Sequence, residues 1–156
     1  MRFLGVTGHA DPDILIAMVK RFPFDTILMA LNAADAHRLP FRERLLPLAV
    51  EKEMGIIGMK VPARGRILST WKPGGSDSGG WAAGSKPGTV TMKEAFNYVL
   101  TLPVSTVIIG CDNVAQLEEN VRLAHEFNPL PDSQMAALEA RTETIARQAL
   151  FFRSWA

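Results

Sequence analysis

Thr26-Ile27-Leu28-Met29-Ala30-Leu31 is apolar after its first residue and too short for a helix of a compact domain. A run of this kind, with no polar alternation, is what a strand covered on both faces of a parallel sheet requires. Upstream, Phe3-Leu4-Gly5-Val6-Thr7 reads as a first strand. Asp11 then caps a helix that opens at Pro12, carries Ile14, Leu15, Met18 and Val19 on one face, and stops before Pro23. Downstream, a loop from Asn32 to Pro40 leads into a helix over about 41–53, with Leu45, Leu46, Leu48 and Ala49 facing inward and Pro47 bending it. Gly55 starts a third strand, Ile56 to Val61. Thr91 and Glu94 have capping-box spacing for a helix from Met92 to Leu100, and Pro103 separates it from a fourth strand, Val104 to Ile109. Asn113 caps a helix from Val114 to about Glu126. After Pro131 one more helix is expected, with Met135, Leu138, Ile145 and Leu150 as the apolar face that closes against the body.

Alternating short apolar runs and amphipathic stretches make this an α/β chain of four βα units with parallel strands and an added C-terminal helix. Its 156 residues fit one domain, 1–156, and 47% hydrophobic content supplies a core. With 17 Lys+Arg against 16 Asp+Glu the net charge is +1, too little for a basic footprint on nucleic acid or an anionic membrane. The single Cys111 excludes an intramolecular disulfide, and with three His residues a structural zinc site is not expected. A reducing, cytoplasmic setting fits. No apolar run approaches a membrane span, and Arg2, His9, Asp11, Asp13 and Lys20 interrupt any signal-peptide pattern.

Residues 62–90 form the one long stretch without periodicity, rich in glycine (Gly74, Gly75, Gly79, Gly80, Gly84, Gly88) and holding Trp71 and Trp81. It leaves the C-terminal end of a parallel strand, where α/β folds place ligands, so it reads as a lid or as a solvated insertion. Within it, 79–86 imitates a P-loop but has Ser85 where the lysine belongs, and it does not open a helix. His9 with Asp11 and Asp13 forms a polar cluster at the end of the first strand, better read as a turn plus helix cap than as a metal or proton site. His37 and His125 read as surface residues, Tyr98 as packing within a helix. Cys111 ends the fourth strand with no histidine placed by sequence to activate it, and the N-terminus of the helix at Val114 is a general anion-binding end.

Four such units make either an open doubly wound sheet or half of an eight-stranded barrel. A half-barrel leaves its first and fourth strands as unpaired edges and exposes its inward side chains, so it seeks a second half or a second copy. Met1 stands directly against the first strand, and the sequence reads as starting in the middle of a longer fold.

Three segments resemble the aldo-keto reductase family: Arg2-Phe3-Leu4-Gly5-Val6-Thr7-Gly8-His9, Met59-Lys60-Val61-Pro62-Ala63-Arg64-Gly65, and above all Ser105-Thr106-Val107-Ile108-Ile109-Gly110-Cys111-Asp112-Asn113-Val114-Ala115-Gln116-Leu117-Glu118-Glu119-Asn120. The resemblance implies the last four βα units of a TIM-type (βα)8 barrel plus the family's C-terminal helix. It further implies NADP or NAD as cofactor: Thr7 at the nicotinamide carboxamide, Lys60 and Arg64 over the pyrophosphate, Gly110, Cys111, Asp112 and Asn113 at the adenosine ribose, and Gln116, Glu119 and Asn120 around the adenine. Leu28 and Met59 depart from the family's Gln and stacking aromatic. Gly110 and Gln116 stand where NADP-preferring members carry cations. The family's catalytic Asp, Tyr, Lys and His belong to its first four units, so no catalytic residue is assigned here. The chain is expected to be the NAD(P)-binding half of a carbonyl oxidoreductase, inactive alone. The reading from another class is a non-catalytic half-barrel kept for interaction or assembly.

Overall fold

The computed structural model describes residues 2–73 and 84–153. Four parallel strands, β1 (Gly5–Gly8), β2 (Thr26–Ala30), β3 (Gly55–Met59) and β4 (Thr106–Val107), lie side by side in chain order, β1-β2-β3-β4. A doubly wound sheet reverses its order at a switch point, whereas unbroken sequential order is how strands enter a barrel. The sheet is not closed: among the described residues β1 and β4 are both edges.

The register separates two faces. Val6, Ile27 and Ile56 form one row, and Gly8, Met29, Gly58 and Val107 form another. Laterally paired residues of parallel strands point the same way. Val6, Ile27, Met29 and Ile56 are buried, under a helical layer of α1 (Pro12–Arg21), α2 (Phe41–Arg44), α3 (Leu46–Glu51) and α4 (Met92–Thr101). At Gly58 a methyl group would stand 3.2 Å from Val99 of α4, so glycine lets that helix approach the sheet closely. The opposite face carries the row Thr7, Leu28, Ile57, Thr106; both threonines are exposed and the two aliphatics half-buried. The apolar run at Thr26 is therefore fully covered on one face only, in contrast to the two-sided burial its composition suggests.

Three helix starts follow their caps. Asp11 Oδ1 accepts from Asp13 N at 2.8 Å, Thr91 and Glu94 close a full capping box, and Asn113 accepts from Gln116 N to open α5 (Val114–His125). Each removes an orphan donor from a first turn. Other boundaries move. Pro47 splits the expected 41–53 helix into α2 and α3, because it offers no N–H to the preceding turn. A short 3-10 turn, Asp35–His37, occupies the loop before it. β4 is shorter than Val104–Ile109, although Ser105 N and Ile108 N extend its ladder to Ile56 O and Gly58 O. The final helix breaks into α6 (Asp132–Thr142), a 3-10 turn (Glu143–Ile145) and α7 (Ala146–Ala149). Thr142 Oγ1, which back-bonds to Glu139 O and donates to Ala33 O, sits at that bend. Met135, Leu138, Ile145 and Leu150 are buried as expected. His37 is not a surface residue; its Nε2 lies 2.8 Å from Glu139 O and fixes α6 to the loop after β2.

The apolar face expected for α1 is only half right. Leu15 and Val19 are buried, but Ile14 is 61% and Met18 41% exposed. Asp13 pairs with Arg44 of α2, while Ile14 and Met18 lie on the solvent side of the apolar stripe, and Phe22, just past the helix, is exposed with them. The same holds at the other end. On α5 only Leu123 is buried, while Val114, Leu117 and Val121 form an exposed stripe turned away from Glu126, which reaches Lys93 on α4.

Of the segment 62–90, residues 74–83 lie outside the described residues, and with them Gly74, Gly75, Gly79, Gly80, Trp81 and most of the P-loop-like stretch. Its two ends are stitched together. Leu68 bridges Val90 in parallel, Gly88 N donates to Leu68 O, and Ile67 and Val90 are fully buried. A Cβ at Gly88 would lie 2.1 Å from the Ile67 carbonyl, so Gly88→Ala forces the backbones apart. We expect it to destabilise the chain by about 1–3 kcal/mol or more in urea denaturation; an unchanged midpoint would show that this clamp is not formed.

Candidate functional site

The C-terminal ends of parallel strands, where loops leave the sheet, converge on one mouth. His9 follows β1, Asn32 and Asp35 follow β2, Lys60 and Arg64 follow β3, and Gly110–Asn113 follow β4. Asn32 bridges two of these ends: its Oδ1 accepts from Ala34 N at 2.9 Å and its Nδ2 donates to Lys60 O at 3.3 Å. A shallow groove of about 610 Å³ lined by Phe3, Phe24, Asp25 and Lys52 lies at the opposite end of the sheet, away from this convergence.

Beside the mouth, Asp35 and Arg153 form an ion pair whose side chains are 1% and 0% exposed. Asp35 Oδ2 also accepts from Arg42 N at 2.8 Å, and Arg153 Nη1 donates to His9 O at 2.7 Å. Burial pushes the Asp35 carboxyl up to about 6 although Arg153 and the neighbouring backbone N–H groups pull the other way. Burial likewise lowers Arg153, opposed by Asp35. Desolvation thus outweighs the pairing on both partners, as is common for isolated buried ion pairs.

The loop after β3 concentrates cations and strain. Lys60, Ala63 and Arg64 adopt φ of 63°, 50° and 54°, in the left-handed region that side chains avoid. Lys60 is held below the usual lysine range, first by burial and then by the charge of Arg64, so two like charges are kept close together. Such an arrangement favours an anion between or above them.

The turn after β4 is braced by the helix that follows it. Gln116 Oε1 accepts from Asp112 N at 2.8 Å, and Asn120 Nδ2 donates to Cys111 Sγ at 3.2 Å. Both amides keep one polar atom for other use, Nε2 and Oδ1. Glu119 is exposed, and open space surrounds the Cβ position of Gly110. Thr7 stands on the exposed inner face, two strands from Lys60 and Arg64. The residues singled out in the sequence thus fall into three groups along the mouth: Thr7; Lys60 with Arg64; and Gly110 to Asn120.

Tyr98 is fully buried within the α4 layer, where its hydroxyl donates to Glu139 at 2.8 Å and accepts from Arg42 at 2.9 Å. Burial pushes it up to about 12, so it is a structural tyrosine. Asp11 and Asp13 serve as cap and ion-pair partner. Among the described residues no cluster of three His, Cys, Asp or Glu is placed to hold a metal, and no helix is long and apolar enough to cross a membrane.

Solved structures share this fold. An aldo-keto reductase, AKR11C1 from Bacillus halodurans, superposes with a TM-score of 0.65 over 89% of this chain at 23% identity, in its holo form. The glycerol dehydrogenase AKR11B4 from Gluconobacter oxydans does so with a TM-score of 0.61 over 92% of the chain at 16% identity. The fold matches part of the TIM-type barrel of those aldo-keto reductases, with the sheet left open. The chain spans only 49% of each of those two structures, about half their length. No protein-family model and no curated protein matches it.

Sequence reasoning missed Asn32, Asp35 and the terminal Phe151, Phe152 and Arg153. Asp35 and Arg153 are 118 residues apart, and no local pattern marks either as buried. Their pairing sets a pH dependence. Because the folded-state carboxyl sits at about 6 against 3.8 for the free group, its stabilising contribution is fully present below about pH 4 and lost as pH rises to about 6. The stability difference between wild type and Asp35→Asn, followed by urea denaturation, should fall through that window and level off above it. A difference that rises with pH would contradict the burial of Asp35.

Proposed function

We propose that this chain is the NAD(P)-binding half of an aldo-keto reductase-like carbonyl oxidoreductase, whose chemistry needs the other four βα units of the barrel. The observation that carries it is the pair of crowded cations, Lys60 and Arg64, on the loop after β3, next to the side-chain-braced turn after the neighbouring strand β4. The donor set suits a dinucleotide. The nicotinamide group supplies the hydride when such a cofactor is bound. Lys60 and Arg64 neutralise its diphosphate, and Thr7 offers a hydroxyl to the carboxamide on the inner face. Gly110 leaves room beside the ribose, while the free atoms of Gln116 and Asn120, with Glu119, line the adenine side. Asp112 makes the ribose turn acidic, no Lys or Arg lies on residues 110–113, and Arg122, the cation on the following helix, is paired to Glu126. A free ribose 2′-hydroxyl fits that charge better than a 2′-phosphate, which favours NAD over NADP.

Reduction of a carbonyl also needs a proton donor beside the developing alkoxide, a contribution of about 10²–10⁴-fold. Tyr98 is buried behind the sheet and does not serve. His9 is exposed at the end of β1, and aldehyde turnover by the chain alone that is lost in His9→Ala would overturn the assignment of the acid to the partner half. The partner half brings the acid and covers both apolar edges. A reducing, cytoplasmic setting suits the lone exposed Cys111. The second reading, an assembly module without catalysis, is favoured by those same edges, the stripes on α1 and α5.

Fluorescence titration with NADH and NADPH separates the two. We expect measurable binding, tighter for NADH, weakened by about 1–3 kcal/mol in Lys60→Ala, Arg64→Ala or Asn120→Ala. Aldehyde turnover should be absent for the chain alone and appear when the four complementary units are supplied in trans. A chain that binds neither nucleotide would leave the assembly reading.

A further inference from the structure

The strongest feature that the proposed function does not use is the C-terminal segment. Beyond α7 the chain turns across the mouth and lays three consecutive side chains on it. Arg153 reaches into the interior, pairing with Asp35 after β2 and with the His9 carbonyl after β1, and its guanidinium lies 3.9 Å from the Phe41 ring centroid. Phe152 packs edge-on against His9 at 5.6 Å and has Lys60 Nζ 5.9 Å from its centroid. Phe151 has the Arg64 guanidinium at 5.4 Å and that of Arg66 at 4.5 Å.

The two cations on which the diphosphate reading rests are therefore already facing aromatic rings supplied by the chain itself. A ring quadrupole attracts a cation more weakly than the doubly charged diphosphate does. The rings keep their place because Arg153 anchors them, and that anchor is incomplete, since its buried Nε has no hydrogen-bond partner. A weak contact held by an imperfect anchor is one that a strong anion displaces.

We propose that Phe151–Arg153 is an autoinhibitory strap, which the Asp35–Arg153 pair latches across the mouth and which competes with a diphosphate-bearing ligand for Lys60 and Arg64. The proposal rests on the reading of those cations as a diphosphate site. Ligand entry carries the cost of lifting the strap, so the apparent affinity of the wild-type chain is reduced by the fraction of molecules in which the strap is open.

The test uses the full chain, with NADH and inorganic pyrophosphate as probes and two readouts: affinity, and hydrogen exchange of the peptide holding residues 150–153. We expect Phe151→Ala/Phe152→Ala to bind both probes about 10-fold more tightly than wild type, and saturating pyrophosphate to speed exchange at 150–153 in wild type. If the alanine pair does not fold, Phe151→Leu/Phe152→Leu keeps the apolar bulk and removes the ring faces, with tightening in the same direction. Pyrophosphate that loosens the segment in a chain that binds no NADH supports the strap and overturns the dinucleotide reading. NADH bound equally or more weakly by the variants, with exchange at 150–153 unchanged on binding, overturns the strap and leaves the dinucleotide reading standing. A chain in which neither probe binds or moves the segment overturns the strap.

Discussion

A parallel sheet whose strands follow chain order keeps every crossover on the same side, and that handedness constraint governs the rest of the molecule. It puts α1 to α4 on the face formed by Val6, Ile27, Met29 and Ile56 and leaves the Thr7–Leu28–Ile57–Thr106 row on the other. It also points all four strands toward one mouth, where the loops gather. Both the open inner face and the functional convergence come from the same topology.

The mouth brings together opposite electrostatic solutions. After β2, one carboxylate is withdrawn from water and held by a buried arginine, with desolvation dominating both partners. After β3, two cations stay near each other on a backbone held at positive φ. The C-terminal segment links the two, since the residue that pairs with the carboxylate is followed back along the chain by the two rings facing the cations. After β4, the turn at Gly110–Asn113 is fixed independently by Gln116 and Asn120. A ligand reaching from Thr7 to Asn120 would cross all of these.

Much of this was legible in the sequence because it is local. The caps at Asp11, Thr91 and Asn113 are set by spacings of two or three residues, and the strands by unbroken apolar runs. What was not legible depends on distant partners. Ile14 and Met18 share the amphipathic period of Leu15 and Val19, and only how α1 packs on the body decides which of the four are buried. The break between α6 and α7 depends on Thr142 meeting Ala33, and the burial of Asp35 on an arginine at the far end of the chain. Within the mouth, the strand pattern puts Lys60 and Arg64 on the loop after β3 and residues 110–113 on the turn after β4, as the structure has them, whereas the aromatic segment against those cations had no motif at all.

Among the described residues the open sheet leaves two apolar stripes without cover, on α1 and on α5. Sedimentation velocity of the full chain over a range of concentrations reads out whether these stripes are free to associate, with Met18→Glu and Leu117→Glu as one variant for each. Concentration-dependent association beyond the monomer is expected, reduced by either substitution. A compact monomer at every concentration, melting cooperatively and indifferent to both substitutions, would contradict it.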